Sequence, residues 1–249
     1  MYQIVHNFRH DEALRRSFNE LAEATFGLNF ENWYQNGFWG DCYDPYSLLG
    51  DGKIVANVSL NRTDLRINGQ VKRVYQLGTV MTAESYRRRG YIRAIMEEIA
   101  KDEVYYRRSG GGITLSGGEA MAQPEFAEAI FRACHDRGFN TAIETTAFAE
   151  REVVARLIPH IDHVMMDIKH MDSAKHKEYT GQPNEKILDN ARWIAENASH
   201  LVIRVPVIPG FNDTPEEIAA IGIIVSILNQ VLSRSGRDEQ ATMTTLAGL

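Results

Sequence analysis

Only two cysteines, Cys42 and Cys134, occur in this chain of 249 residues, and neither has a second cysteine near it. That excludes a CxxC or CxxxCxxC ligand set for a metal cluster. Cys134 shares a helical stripe with Phe126, Ile130 and Ala133, a spacing that predicts a buried structural thiol. Cys42, beside Trp39 and Tyr43, is given the same reading. A long apolar run is missing too: the longest, Ile218 to Leu228, falls well short of the roughly 20 residues that cross a bilayer. Met1 to Asn7 lacks the apolar centre of a signal peptide, and the expected location is the cytoplasm, with no membrane partner. Positive charge is not in surplus either, since 27 Lys and Arg face 33 Asp and Glu for a net charge of −6. A general nucleic-acid binder is therefore not expected.

What is present is an α/β pattern whose two halves differ. In the first, Leu14, Phe18, Leu21 and Ala22 keep helical spacing between His10 and Phe26, with Gly27 placed as the cap. The aromatics Tyr34, Phe38, Trp39 and Tyr43 follow, and covering a core edge is their commoner role. Short β-rich runs then alternate with turn signals: Tyr46 to Leu49, Asp51-Gly52, Ile54 to Leu60, Leu65 to Ile67, Asn68-Gly69 and Val71 to Val80. Asp-Gly and Asn-Gly between such runs predict an antiparallel meander. It leads into Arg87, Arg88, Arg89, Gly90, Tyr91, Ile92 and Arg93, then a helix carrying Ile92, Ile95, Met96 and Ile99 at i, i+3, i+4 and i+7. Backbone amides and guanidinium at a helix start suit the phosphate of a small molecule.

The second half, from Asp102 to Gly210, alternates strands with helices. Ile113 to Leu115, Thr141 to Thr145, His163 to Ile168 and Leu201 to Val207 read as strands, which implies a parallel sheet with right-handed crossovers. A helix from Pro124 to Arg137 starts at proline and stops at Gly138, and the last begins Thr214-Pro215 with Glu217 as the third member of a capping box. The polar residues gather at strand ends: Glu119 after the first strand, Glu144 and Thr145 at the second, Asp167 and Lys169 at the third, Arg204 within the fourth. In a parallel sheet such positions converge on one ligand site. Beyond Leu228 the chain turns polar, and residues 229–249 are expected to form a frayed tail.

Two resemblances sharpen this division. The order helix, hairpin, hairpin, Arg-rich turn, helix over residues 1–100 resembles the N-terminal half of the GNAT superfamily of acyl-CoA N-acetyltransferases, with Arg87 and Gly90 on its R-x-x-G-x-G/A turn. The resemblance implies an acetyl-CoA site at Val80, Arg87, Arg88, Arg89, Gly90 and Ile92, the strand edge pairing with pantetheine and the turn holding pyrophosphate. Ile92 departs from the family's glycine or alanine. Residues 101–228 resemble the radical S-adenosylmethionine (SAM) enzymes that activate glycyl-radical enzymes, the pyruvate formate-lyase activase group. The matching runs are Ser109 to Glu119 (SGGGITLSGGE), Ile143 to Thr146, Met166 to Asp172, Tyr179 to Gly181 and Arg204 to Asp213.

By that resemblance Gly117, Gly118 and Glu119 hold the methionine amino group of SAM, Thr145, Asp167 and Lys169 its carboxylate region and an associated cation, and Arg204 its far side. The implied partner is a glycyl-radical enzyme. The family also holds a [4Fe–4S] cluster on three thiolates of one loop, which this chain lacks, so no cluster is expected and no catalytic residue is assigned. The implied architecture is a GNAT-like antiparallel meander joined to an incomplete parallel (β/α) barrel of roughly four or five repeats, whose unpaired edges invite association. The helix around Met96 to Ile99 suits both families, as expected of two segments joined at a shared stretch. The alternatives are an acetyl-CoA-dependent N-acetyltransferase completed by the downstream strands, and a non-enzymatic chimera of two truncated domains.

Overall fold

The computed structural model describes residues 3–67, 70–86, 96–97, 99–117, 119–234 and 242–247. They form two compact units: Met1–Gly118 with Arg137–Phe139, and Glu119–Asp136 with Asn140–Leu249.

In the first unit, helix α1 (Glu12–Phe26) starts where Asp11 accepts a hydrogen bond from the Leu14 amide at 3.0 Å and ends at Gly27 with φ 68°. These are the two signals that satisfy free backbone groups at helix ends. Its apolar face buries Phe18, Leu21 and Ala22 against Phe8, Trp39, Ile54 and Met81. Strands β1 (Gln3–Val5), β2 (Tyr43–Gly50), β3 (Lys53–Ile67) and β4 (Gln70–Thr82) pair antiparallel in that order. Asp51 (φ 52°) and Gly52 (φ 78°) both have positive φ, the geometry of a two-residue type I′ hairpin turn. Strand β5 (Gly112–Leu115) adds parallel to β4 at Gln76↔Thr114 and Leu77↔Leu115. Short helices α2 (Glu31–Gln35) and α3 (Glu103–Ser109) complete the unit, and the buried helical residues Met96 and Ile99 keep the predicted apolar face.

The second unit has strands β6 (Asn140–Thr145), β7 (His163–Asp167), β8 (His200–Val207) and β9 (Thr242–Ala247), all parallel. Among the described residues five α-helices accompany them: α4 (Pro124–His135), α5 (Arg151–Leu157), α6 (Ser173–Thr180), α7 (Glu185–Asn197) and α8 (Pro215–Arg234). The core takes one residue in two from β6, β7 and β8, including Ile143, Val164, Met166, Ile203 and Val205, and meets Ile130, Phe131, Leu157, Ile194, Ile221 and Leu228 from the helices. This alternation follows from the period of two in an extended chain.

Several expectations are corrected. The runs Ile54 to Leu60 and Leu65 to Ile67 belong to one strand, β3, because the ladder to β4 continues without a break from Leu60↔Leu77 to Ile67↔Gln70. Cys42 is exposed, whereas Cys134 is buried on α4 as expected. The capping box is half formed: the Glu217 amide donates to Thr214 Oγ1 at 3.3 Å, but the Glu217 carboxylate accepts from the Met171 amide at 2.5 Å instead of turning back. Beyond Leu228, α8 runs on to Arg234 and β9 pairs with β8, where a frayed tail is expected. The Asn68-Gly69 turn lies outside the described residues.

Candidate functional site

The strand ends of the second unit gather the polar residues into two sets. In the first, Glu119 lies in the loop before α4 and each of its carboxylate oxygens receives two donors. Oε1 accepts from Thr145 Oγ1 at 2.5 Å and the Met121 amide at 3.0 Å; Oε2 accepts from Thr146 Oγ1 at 2.6 Å and the Thr146 amide at 2.9 Å. Four donors match the lone-pair sites of a carboxylate, so Glu119 clamps its loop to the end of β6.

The second set is ionic. Asp167 on β7 faces Arg204 on β8 directly in register. Arg204 Nε donates to Asp167 Oδ1 at 2.8 Å and its Nη1 lies 2.9 Å from Glu144 Oε1, while Lys169 Nζ stands 4.0 Å from Asp167 Oδ2. The three bridged side chains are mostly buried, at 18% exposure for Arg204, 16% for Asp167 and 22% for Glu144. Burial acts to lower the Arg204 pKa, but the hydrogen bond it donates to Asp167 and the pull of Asp167 and Glu144 outweigh this and hold the guanidinium above its usual range. Two carboxylates and two cations leave the set neutral, with both signs presented at one end of the strands.

Three buried asparagines, which the sequence reading did not single out, hold the loops around this end. Asn190 donates to the carbonyls of Ala147 (2.8 Å) and Ala149 (2.9 Å), Asn184 to those of His170 (2.7 Å) and Met171 (3.0 Å), and Asn212 to those of Lys169 (2.7 Å) and Pro206 (2.9 Å). Each ties the backbone beyond one strand to another element, which fixes where Lys169 and the residues after Thr145 sit. Asn212, in a Pro-Gly-Phe-Asn turn, carried the available signal, because a buried amide must find partners for both of its ends.

In the first unit, Gly117, two residues beyond β5, has φ 85°, and a Cβ built there would meet the Thr79 amide nitrogen at 2.8 Å and Gly78 Cα at 3.2 Å. Glycine is therefore required both by conformation and by space. Opposite it β4 carries a bulge, with Asn57 paired to Met81 and Ser59 to Gly78, and Thr79 sits at φ 48°. The strained residue is held by its neighbours: Asn57 Nδ2 donates to the Thr79 carbonyl at 2.8 Å, and Thr79 Oγ1 lies 2.8 Å from the Tyr43 hydroxyl. Burial raises the Tyr43 pKa against the hydrogen bonds of Ser59 and Thr79. Val80 lies within this bulge, between Thr79 and the paired Met81. Arg87, Arg88, Arg89, Gly90 and Ile92, expected to bind acetyl-CoA, and Gly118 lie outside the described residues.

The donor sets differ in how they suit the implied cofactors. For SAM, whose amino acid end is zwitterionic, Asp167, Lys169 and Arg204 offer both signs at one place. For a [4Fe–4S] cluster the residues do not fit: the chain has two cysteines, one exposed in the first unit and one buried in the core of the second. Among the described residues no group of three or more His, Cys, Asp or Glu is arranged to hold a metal ion.

Comparison with known proteins finds relatives of two kinds. The family model of the radical SAM superfamily matches residues 75–221, more than half of the chain, and the protein belongs to that superfamily. A model of the acetyltransferase (GNAT) domain matches residues 11–110, overlapping the first over 75–110, and one of the stage III sporulation protein AC/AD family matches residues 217–249. The choline trimethylamine-lyase activating enzyme of Oleidesulfovibrio alaskensis is 44% identical over 130 residues, 52% of this chain and 42% of that protein. The isethionate sulfite-lyase activating enzyme of Desulfovibrio desulfuricans is 46% identical over 129 residues, 51% of this chain and 41% of that protein. The chain thus spans about two fifths of the length of these relatives. Among solved structures, a domain of a pyruvate-formate lyase-activating enzyme from Bacteroides vulgatus is similar, with a TM-score of 0.45 and 27% identity over 55% of this chain and 99% of that domain.

Proposed function

We propose that the second unit is a SAM-binding segment derived from the activating enzymes of glycyl-radical enzymes, and that this chain does not cleave SAM reductively by itself. The observation that carries it is the neutral ionic set Glu144–Arg204–Asp167–Lys169 at the carboxyl ends of β6 to β8. In this reading Lys169 and Arg204 receive the carboxylate of SAM, Asp167 faces its ammonium side, and Glu119 acts through Thr145 and Thr146 by fixing its own loop at the end of β6. When bound, SAM supplies a sulfonium whose C–S bond accepts an electron in the wider superfamily. Two isolated thiols provide no seat for the iron–sulfur centre that would deliver it. The partner class in keeping with the relatives is a glycyl-radical enzyme. Anaerobic reconstitution with iron and sulfide followed by dithionite and SAM is expected to give no four-iron spectrum and no 5′-deoxyadenosine; formation of either overturns the second clause.

A second reading concerns the first unit, where the parallel pairing of β5 with β4 supports an acetyl-CoA site completed by the downstream strand. Val80 and the arginine turn then hold the cofactor. Saturable binding of coenzyme A, lost on replacing Arg87 and Arg89 by alanine, is the expected result; absence of binding removes this reading.

A further inference from the structure

Two carboxylates at the strand ends of the second unit, Asp167 and Glu119, keep different company. Asp167 faces cations: Arg204 Nε donates to its Oδ1 at 2.8 Å and Lys169 Nζ stands 4.0 Å from its Oδ2. Glu119 has no ion-pair partner among the described residues, and its four donors, the hydroxyls of Thr145 and Thr146 and the amides of Met121 and Thr146, are all neutral. Both hydroxyls are themselves backed by amides, Ala147 N–H on Thr145 Oγ1 at 2.8 Å and Phe148 N–H on Thr146 Oγ1 at 3.3 Å, which leaves each hydroxyl proton for Glu119. The carboxylate thus keeps its charge while its lone-pair sites are filled, with no place for a further hydrogen bond. Because the set of Glu144, Asp167, Lys169 and Arg204 is neutral, Glu119 adds an unbalanced negative charge to these strand ends.

A charge without a free lone pair selects among cations. An ammonium carries N–H groups that need acceptors, whereas a sulfonium carries none and gains from a negative field alone. We propose that Glu119 gives the second unit a preference for the sulfonium of SAM over the uncharged thioether of S-adenosylhomocysteine, through charge rather than through contact. The inference rests on the SAM reading and deepens it, with Asp167 serving the ammonium and Glu119 the sulfur. Thr145, which Glu119 holds, directly follows Glu144 of the ionic set, and only two methylene groups separate the sulfonium from the amino acid carbon that the set receives. A charge at the same strand end acts within the Debye length of roughly 10 Å at ordinary ionic strength. Glu119 is half-buried, which thins the water between the two charges and strengthens their attraction.

The test is calorimetric titration of the full chain with SAM and with S-adenosylhomocysteine, which differ only by the methyl group that makes the sulfur cationic. The chain is expected to bind SAM about tenfold more tightly or better. Glu119→Gln removes the charge and should bring the ratio of the two affinities close to unity. Thr146→Val removes a donor of the clamp but keeps the charge; it should weaken both ligands alike and preserve the ratio, an outcome that a merely structural role for Glu119 does not give. If Glu119→Gln does not fold, the unaltered chain decides: its ratio should fall severalfold between roughly 0.1 M and 1 M KCl, as the Debye length shrinks from about 10 Å to about 3 Å. Equal binding of the two ligands, a ratio that survives Glu119→Gln, a ratio lost in Thr146→Val, or a ratio unmoved by salt overturns the proposal and leaves SAM binding standing. Binding of neither ligand removes the SAM reading and this proposal with it.

Discussion

The two units place their polar groups by opposite rules. In the first, antiparallel strands carry a chain of polar contacts into the interior, from Ser47 through Asn57 and Ser59 to Tyr43 and Thr79, beneath a cluster of aromatic rings around Trp39. In the second, β6, β7 and β8 bury mainly aliphatic residues and carry the charges of Glu144, Asp167 and Arg204 in their carboxyl halves. The difference follows from topology. A parallel sheet covered by helices buries both faces, which leaves polar side chains little place but the strand ends, whereas an antiparallel meander tolerates polar residues wherever neighbouring strands satisfy them. The ligand site proposed for the second unit is thus built at one end of its strands, and the one proposed for the first at the bulge of its sheet.

Both cores should lose most from a cavity. Phe18→Ala in the first unit and Phe131→Ala in the second, each fully buried, are expected to cost about 3–5 kcal/mol in urea unfolding. A loss under about 1 kcal/mol at either site would show that it is not core. The ionic set should come next: Arg204→Leu leaves Glu144 and Asp167 facing each other and is expected to cost about 2–4 kcal/mol, while the triple change of all three to leucine should recover most of that loss. Equal destabilisation by single and triple variants would break the contrast between charged ends and an aliphatic interior. Gly117→Ala forces a side chain to positive φ against the Thr79 amide and should cost about 1–3 kcal/mol, as seen by thermal unfolding.

The smallest expected effect is one of pH. Burial acts to raise the pKa of Asp162, but the Thr141 amide at 2.8 Å, the Thr141 hydroxyl at 3.0 Å and His135 lower it on balance. A depressed carboxylate contributes stability that is present above its unfolded value of about 3.9 and is lost as pH falls through the folded one. Acid unfolding of Thr141→Val, which removes one of the donors, should therefore show a shallower loss of stability below that value. An unchanged slope would show that Asp162 gains nothing from the hydroxyl.

Much of this was legible in the residues. The strands of the second unit, the helix caps at Gly27 and Pro124, and the gathering of Asp167, Lys169 and Arg204 follow from periodicity and from polar residues at strand ends. The Glu119 clamp was legible only in part, because its donors, Thr145 and Thr146, lie far away in sequence. What the sequence concealed are matters of long-range pairing. Nothing local in Asn61 to Asp64 marks a strand that runs through it, and only the β4 ladder keeps it extended. Glu217 matched a local cap, yet the Met171 amide, distant in sequence, claimed its carboxylate. The exposure of Cys42 depends in the same way on packing that no neighbouring residue encodes.

The most direct measurement is the melting temperature of the full chain with SAM and with acetyl-CoA, each supplied at a concentration about a hundred times a micromolar dissociation constant, where binding should stabilise by about 2.7 kcal/mol. A rise with SAM that is lost in Asp167→Asn and Lys169→Ala is expected if the charged strand ends form the site. No rise with SAM, or a rise that both variants keep in full, contradicts it.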